Sequence, residues 1–141
     1  MSEVETKKAA GFVLFEHTHA GRRFLLLRNR RHGTWGFPKG HCNDGEELMV
    51  CAHRELEEET SLTEVRVYPG CERTLSYFIR RGKSGYEKIV SYYIAEKLHG
   101  VCRLSEEHDE AIWVTSAEAR LRLNYPDLRR LIDEADAFLG A

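Results

Sequence analysis

The sequence predicts an α/β fold: a mixed β-sheet sandwiched between helices in α/β/α layers, forming one domain over residues 1–141. Three features of the sequence predict it. Short apolar runs rich in β-formers open the chain, at Phe12–Phe15 and Phe24–Leu27. A long segment without internal Gly or Pro follows Gly45, dominated by strong helix formers. Further strand candidates and then helical periodicity complete the chain, and a length of 141 residues suits a single core.

The elements follow in order. Residues 9–16 and 24–28 read as strands, joined by a turn at Ala20-Gly21. Residues 28–36 form a polar, Gly-containing loop. The clearest helix is predicted over Glu46–Ser61, with Asp44 as N-cap and Glu46 and Glu47 at the positive end of its dipole. Strands are expected at 71–80 and 88–97, with Arg81–Gly85 as the turn between them. A short strand holds Ile112–Val114. Thr115-Ser116-Ala117-Glu118 is a capping box that starts a short helix. Pro126 suits the first turn of a last helix, in which Leu128, Leu131, Ile132, Ala135, Phe138 and Leu139 share helical spacing.

Composition narrows the function classes. Apolar residues make up 42% and charged residues 31%, with a net charge of −2. That balance does not ask for a long nucleic acid partner, which usually meets a strongly basic face; Arg28, Arg30 and Arg31 form only a local group. No apolar run approaches the roughly 20 residues of a membrane span, and Met1–Lys8 is too polar for a signal peptide. Cys42, Cys51, Cys71 and Cys102 are irregularly spaced, which points to reduced thiols in a cytoplasmic protein rather than to zinc or disulfides. A monomer or weak dimer is expected.

The chemistry lies on the first helix. Glu55, Glu58 and Glu59 stand at i, i+3 and i+4, within an arc of roughly 100°. Like charges at this spacing cost a helix a few tenths of a kcal/mol per pair. A hard divalent cation, Mg2+ or Mn2+, would remove the conflict. Leu48, Ala52 and Leu56 place the buried face beside the acidic arc, which favours a cleft, whereas Glu57 points away. A merely solvated acidic face remains the competing reading of these residues taken alone.

From Gly40 the chain reads Gly-x5-Glu-x7-Arg-Glu-Leu-x-Glu-Glu-x-Ser-Leu. This resembles the Nudix box. Gly40, Glu46, Arg54, Glu55, Leu56, Glu58, Glu59 and Leu62 match, and Ser61 stands where the family has Gly. Six fixed polar or Gly letters coincide by accident about once in ten million windows, so the signal is specific. Ser at the left-handed C-cap should cost about 1 kcal/mol without touching the expected metal ligands. The resemblance implies that Glu55, Glu58 and Glu59 bind Mg2+, with Mn2+ possible, that the Gly40 carbonyl assists, and that Arg54 orients the carboxylates. Glu46 is expected to be structural. Members that only bind nucleotides usually lose box glutamates, and all are present here.

Outer segments narrow the resemblance. Trp35–His41, Leu75–Tyr77, Lys88, Tyr92–Glu96 and Ser105–His108 with Trp113 resemble segments of the asymmetrical bis(5'-nucleosyl)-tetraphosphatases, a branch of that family. The resemblance implies cleavage of diadenosine tetraphosphate into ATP and AMP. Removal of pyrophosphate from RNA 5' ends, or action on diphosphoinositol polyphosphates or nucleoside triphosphates, is the alternative within the same chemistry. Lys39 and Lys88 are candidates for phosphate oxygens, and Lys88 reads equally as an exposed strand lysine. His41 reads equally as a phosphate ligand or a loop-stabilising residue, and Tyr77 as a base-stacking platform or a sheet-packing side chain. The resemblance implies that Glu107 returns to the metals and acts as a base for water, against its reading as a solvated loop carboxylate. Glu58 and Glu59 are the other candidates for that proton. His108 and Trp35 admit structural roles.

Overall fold

The computed structural model describes residues 5–140; residues 1–4, the start of the polar N-terminal segment, and residue 141 lie outside the described residues. The strands are β1 (Glu5–Thr18), β2 (Gly21–Asn29), β3 (Trp35–Gly36), β4 (Lys39–His41), β5 (Glu64–Arg81), β6 (Ser84–His99) and β7 (His108–Val114). The helices are α1 (Leu48–Thr60), α2 (Ser116–Arg122) and α3 (Pro126–Leu139).

The seven strands form one mixed sheet in the order β3-β2-β1-β6-β5, with β4 beside β1 and β7 beside β2. Residues 9–15 of β1 are all buried, as a strand covered on both faces must be. It runs parallel to β6, from Glu5 opposite Tyr86 to Phe15 opposite Glu96. On its other side β1 changes partner. Ala9–Gly11 pair with β4, and Phe15–Thr18 pair with β2. The sheet therefore forks at β1, and the box begins in the fork.

Two apolar layers flank the sheet. Phe12, Leu14, Leu25 and Leu27 meet Cys51, Ala52 and Leu56 of α1 on one face. Val13, Phe15, Phe24 and Leu26 meet Ala119, Leu128, Leu131, Ile132 and Ala135 of α2 and α3 on the other. This is the α/β/α arrangement the sequence predicts. Phe138 departs from the expected apolar stripe: its side chain is exposed. Among the described residues no helix is long and apolar enough to cross a membrane.

The first helix begins later than expected. Its N-cap is Glu47, with no side-chain cap, and its first turn holds no acid. The reason is that residues 43–46 close their own turn. The Glu46 N–H donates to the Asn43 carbonyl at 3.0 Å, and the Asn43 N–H donates to Glu46 Oε1 at 3.0 Å. Asp44 is left exposed in that turn rather than serving as the cap. The C-terminal end matches expectation: Ser61 has φ 67°, left-handed. The Thr115 hydroxyl accepts from the Glu118 N–H, as a capping box requires.

The β5–β6 hairpin is longer than the sequence predicts. Arg81 pairs directly with Ser84, so the turn is Gly82-Lys83 alone. At the other end β5 starts at Glu64, and a register shift between Tyr68 and Arg73 absorbs residues 69–72 opposite Tyr93 alone.

Candidate active site

The site is built at the junction of β4, α1 and the loop between β6 and β7. Gly11 of β1 lets β4 approach. A Cβ there would meet the Pro38 carbonyl and the backbone of Lys39 at less than contact distance. β4 is thereby pressed onto the sheet, with the Phe12 N–H donating to the Pro38 carbonyl at 3.0 Å. The Lys39 N–H then points at α1 and donates to Glu59 Oε1 at 3.1 Å. Gly40 faces Glu55 so closely that a Cβ would overlap its carboxylate.

The carboxylates of α1 are graded in burial by their position on the helix. Glu59 is 4% exposed, the side chain of Glu55 is 13% exposed and that of Glu58 is 56% exposed. Glu57 is exposed on the other side, as expected. The loop after β6 brings a fourth acid. The Arg103 N–H donates to the Thr60 carbonyl at 2.7 Å, and the Ser105 N–H donates to the Glu59 carbonyl at 3.2 Å. The Arg30 N–H fixes the Glu107 carbonyl at 2.9 Å. Glu107 and His108 consequently reach Glu59, with ligand atoms of all three within 4.8 Å of one another. Glu55, Glu58, Glu59 and Glu107 line one cleft of about 320 Å³.

Arg54 organises this set. Its Nε and Nη2 clasp Glu46 at 2.8 and 2.9 Å. Its Nη1 donates to Glu55 at 2.9 Å and to both oxygens of Glu58 at 3.1 and 3.0 Å. Nη2 also reaches the His41 carbonyl at 2.9 Å. Glu46 is thus structural, as expected: the guanidinium beside it holds its carboxyl down at about 2. Burial works the other way on its neighbours. It pushes Glu59 up to about 8, against the Lys39 N–H, and raises Glu55 as well.

A cationic row borders the acids. Lys88 is drawn down to about 8 by burial and by the adjacent Lys39. Burial also lowers His41, helped by Lys88, Lys39 and Lys7. Tyr77 pairs across the hairpin with Lys88 and is half-buried. Burial raises its phenol, and the Asp127 carboxylate raises it further. Tyr125, at the N-cap of α3 and 53% exposed, is not among the residues the sequence points to. An aromatic just ahead of a helix-starting Pro was the available signal.

Other expected residues settle in different places. Trp35 packs against the core between Arg28 and Arg122, at 5.9 and 5.2 Å from its ring. Arg28 is charge-paired with Asp109 at 2.8 and 3.0 Å, while Arg30 donates to the Glu106 carbonyl at 2.9 Å. The Gly40 carbonyl accepts a contact from the Cys51 thiol at 3.6 Å.

The donor set fits a hard divalent cation. It is all oxygen apart from His108, burial disfavours the charged form of Glu59 unless a counter-ion is present, and His108 Nδ1 is buried with no partner. The family model described as NUDIX domain matches residues 5–135. The chain belongs to the Nudix hydrolase family. It is 32% identical to the asymmetrical bis(5'-nucleosyl)-tetraphosphatase of Caenorhabditis elegans, over 94% of this chain and 96% of that one. It is 33% identical to the Mus musculus protein of the same name, over 94% and 95%. Among solved structures, a C. elegans Ap4A hydrolase binary complex superposes with a TM-score of 0.85 at 31% identity, covering 94% of this chain and 97% of that one.

Proposed function

We propose that this Nudix hydrolase is an Mg2+-dependent enzyme, with Mn2+ as the alternative ion, that splits diadenosine tetraphosphate asymmetrically into ATP and AMP. One observation carries the reading: a cleft of four carboxylates borders a row of cations, Lys39 and Lys88, that continues to Tyr77 and Tyr125. The row suits a polyphosphate chain, and the tyrosines suit its base. The names of the full-length relatives support the same substrate class.

Glu55, Glu58, Glu59 and Glu107, with the Gly40 carbonyl, would hold the ion. When bound, it neutralises phosphate oxygens and lowers the pKa of a water. Arg54 keeps Glu55 and Glu58 aligned through its hydrogen bonds. Lys39, His41 and Lys88 take phosphate oxygens, and Tyr77 receives the adenine. Among the described residues Glu107 is the one acid of the four with no side-chain hydrogen bond. Glu58 is engaged by Arg54 and Glu59 by the Lys39 N–H. We assign Glu107 the proton of the attacking water on that ground.

The reading extends to one domain acting as a monomer or weak dimer on a small nucleotide, in the cytoplasm. A continuous sheet and four free thiols support this. The test is chromatographic product analysis of purified protein with Mg2+ and diadenosine tetraphosphate. ATP and AMP in equal amounts are expected. Two ADP would overturn the asymmetry, and rapid turnover of another substrate without cleavage of this one would overturn the substrate.

A further inference from the structure

The molecule holds a second cluster of reactive side chains beside the acidic cleft. Sγ of Cys42 and Sγ of Cys51 lie within 4.8 Å of one another and of a Glu46 carboxylate oxygen. The two thiols differ in access. Cys42 is half-buried and lines an open groove of about 750 Å³ with Lys7, Lys8, Asn43 and Tyr86. Cys51 is fully buried behind it, on the first turn of α1. Between them runs the exposed turn of residues 43–45, which yields more easily than the flanking strand and helix.

We propose that Cys42 and Cys51 are an oxidisable pair, converted by a hydroperoxide to an intrachain disulfide that ties β4 to α1. Cys42, open to the groove, gives up two electrons to the peroxide. Its sulfur becomes the sulfenic acid, and the peroxide O–O bond breaks to release one water from hydrogen peroxide, or the alcohol from an organic hydroperoxide. Cys51 sulfur then attacks the Cys42 sulfur; the S–O bond breaks, the Cys51 proton leaves with the hydroxide as water, and the S–S bond forms. The sulfurs, within 4.8 Å, have to close to about 2.05 Å, and the exposed turn between them is the part of the chain that would move to allow it. A thiophilic metal fits the same cluster less well. Both Glu46 oxygens are clasped by Arg54, and Arg54 Nη2 stands 4.0 Å from Cys51 Sγ, so a dication would sit against a guanidinium.

The pair is wired to the metal-binding loop. Cys51 Sγ is the thiol donor to the Gly40 carbonyl. Oxidation removes that donor and draws the sulfur towards Cys42, so the loop that frames Glu55 is altered without any change in the carboxylates.

The reduced protein is exposed to hydrogen peroxide at neutral pH, quenched with catalase, denatured and titrated for thiols. Of the four free cysteines, two are expected to remain, with one Cys42–Cys51 cross-linked peptide by mass spectrometry and all four restored by dithiothreitol. The Cys71→Ser/Cys102→Ser double variant should form the same cross-link. In Cys51→Ser, Cys42 should stop at a sulfenic acid that dimedone traps. Four thiols surviving, a cross-link to Cys102, or over-oxidised Cys42 in the wild type would each overturn the pair. Calorimetric titration with Mg2+ should give about tenfold weaker binding to the oxidised form, the low end of what losing a supporting partner costs. Equal affinities would overturn the coupling to the loop.

Discussion

Gly40→Ala separates the construction of the site from the stability of the fold. A Cβ at Gly40 would lie 2.6 Å from Glu55 Oε1 and closer still to Cδ and Oε2, whereas ordinary contact begins at 3.4 Å. Oε1 alone must retreat by 0.8 Å, and the closer Cδ and Oε2 by more than 1 Å. The backbone of Gly40 has no positive φ, so alanine is tolerated there. Glu55 escapes by rotating, at about 1 kcal/mol of off-rotamer cost and at the expense of its bond to Arg54. A displacement near 1 Å in a positioned group costs about a hundredfold in rate. The variant should therefore melt within a few degrees of wild type yet lose about two orders of magnitude in Mg2+-dependent turnover. Gly11→Ala is the contrast. Its Cβ would lie 2.7 Å from Lys39 Cα and closer to the Pro38 carbonyl, which are backbone atoms with no rotamer to change. It should cost about 3 kcal/mol or more in denaturant unfolding. Gly40→Ala with wild-type turnover, or with stability lost as badly as in Gly11→Ala, would refute the reasoning.

Metal-free protein should lose thermal stability as pH rises from 4.5 to about 8, because Glu59 stays protonated in the fold over a range where the unfolded chain has ionised it. Mg2+ should raise the melting temperature more at pH 8 than at pH 5, and a flat difference across that range would count against the buried carboxylate as a ligand. Ser61→Gly, at φ 67°, should stabilise by about 1 kcal/mol in urea titration with turnover unchanged. Lys88→Met should raise KM for a dinucleoside polyphosphate more than it lowers kcat, and the wild-type KM should itself climb as pH passes 8, where Lys88 loses its proton. Glu58→Gln should cut turnover by about a hundredfold or more while the far-UV dichroism stays unchanged.

The parts legible in the sequence are those set by local spacing. The acids of α1, the left-handed Ser61 and the Thr115 capping box all depend on neighbours three or four residues away, and all stand where expected. Asp44 fails as the cap because Glu46 is claimed by Arg54, eight residues on, and by Asn43. β4 was hidden for a related reason: three residues become a strand only because Gly11 leaves room beside β1. Glu107 and Tyr125 illustrate the same limit at the site. The resemblance implies that Glu107 returns to the box, and what holds it near Glu59 is backbone bonding to the end of α1 and to Arg30, which no side-chain pattern encodes. Tyr125 reads as a helix flank until the fold packs α3 against β5, the strand that carries Tyr77.

The last carbonyls of α1 are satisfied by the N–H groups of Arg103 and Ser105 instead of by solvent. Helix fraying and departure of the Glu107 segment are for that reason one event. Warming should silence the enzyme when this seam unzips, before the sheet itself melts, and lengthening the connection at residues 100–104 would detune the chemistry while leaving both apolar layers intact.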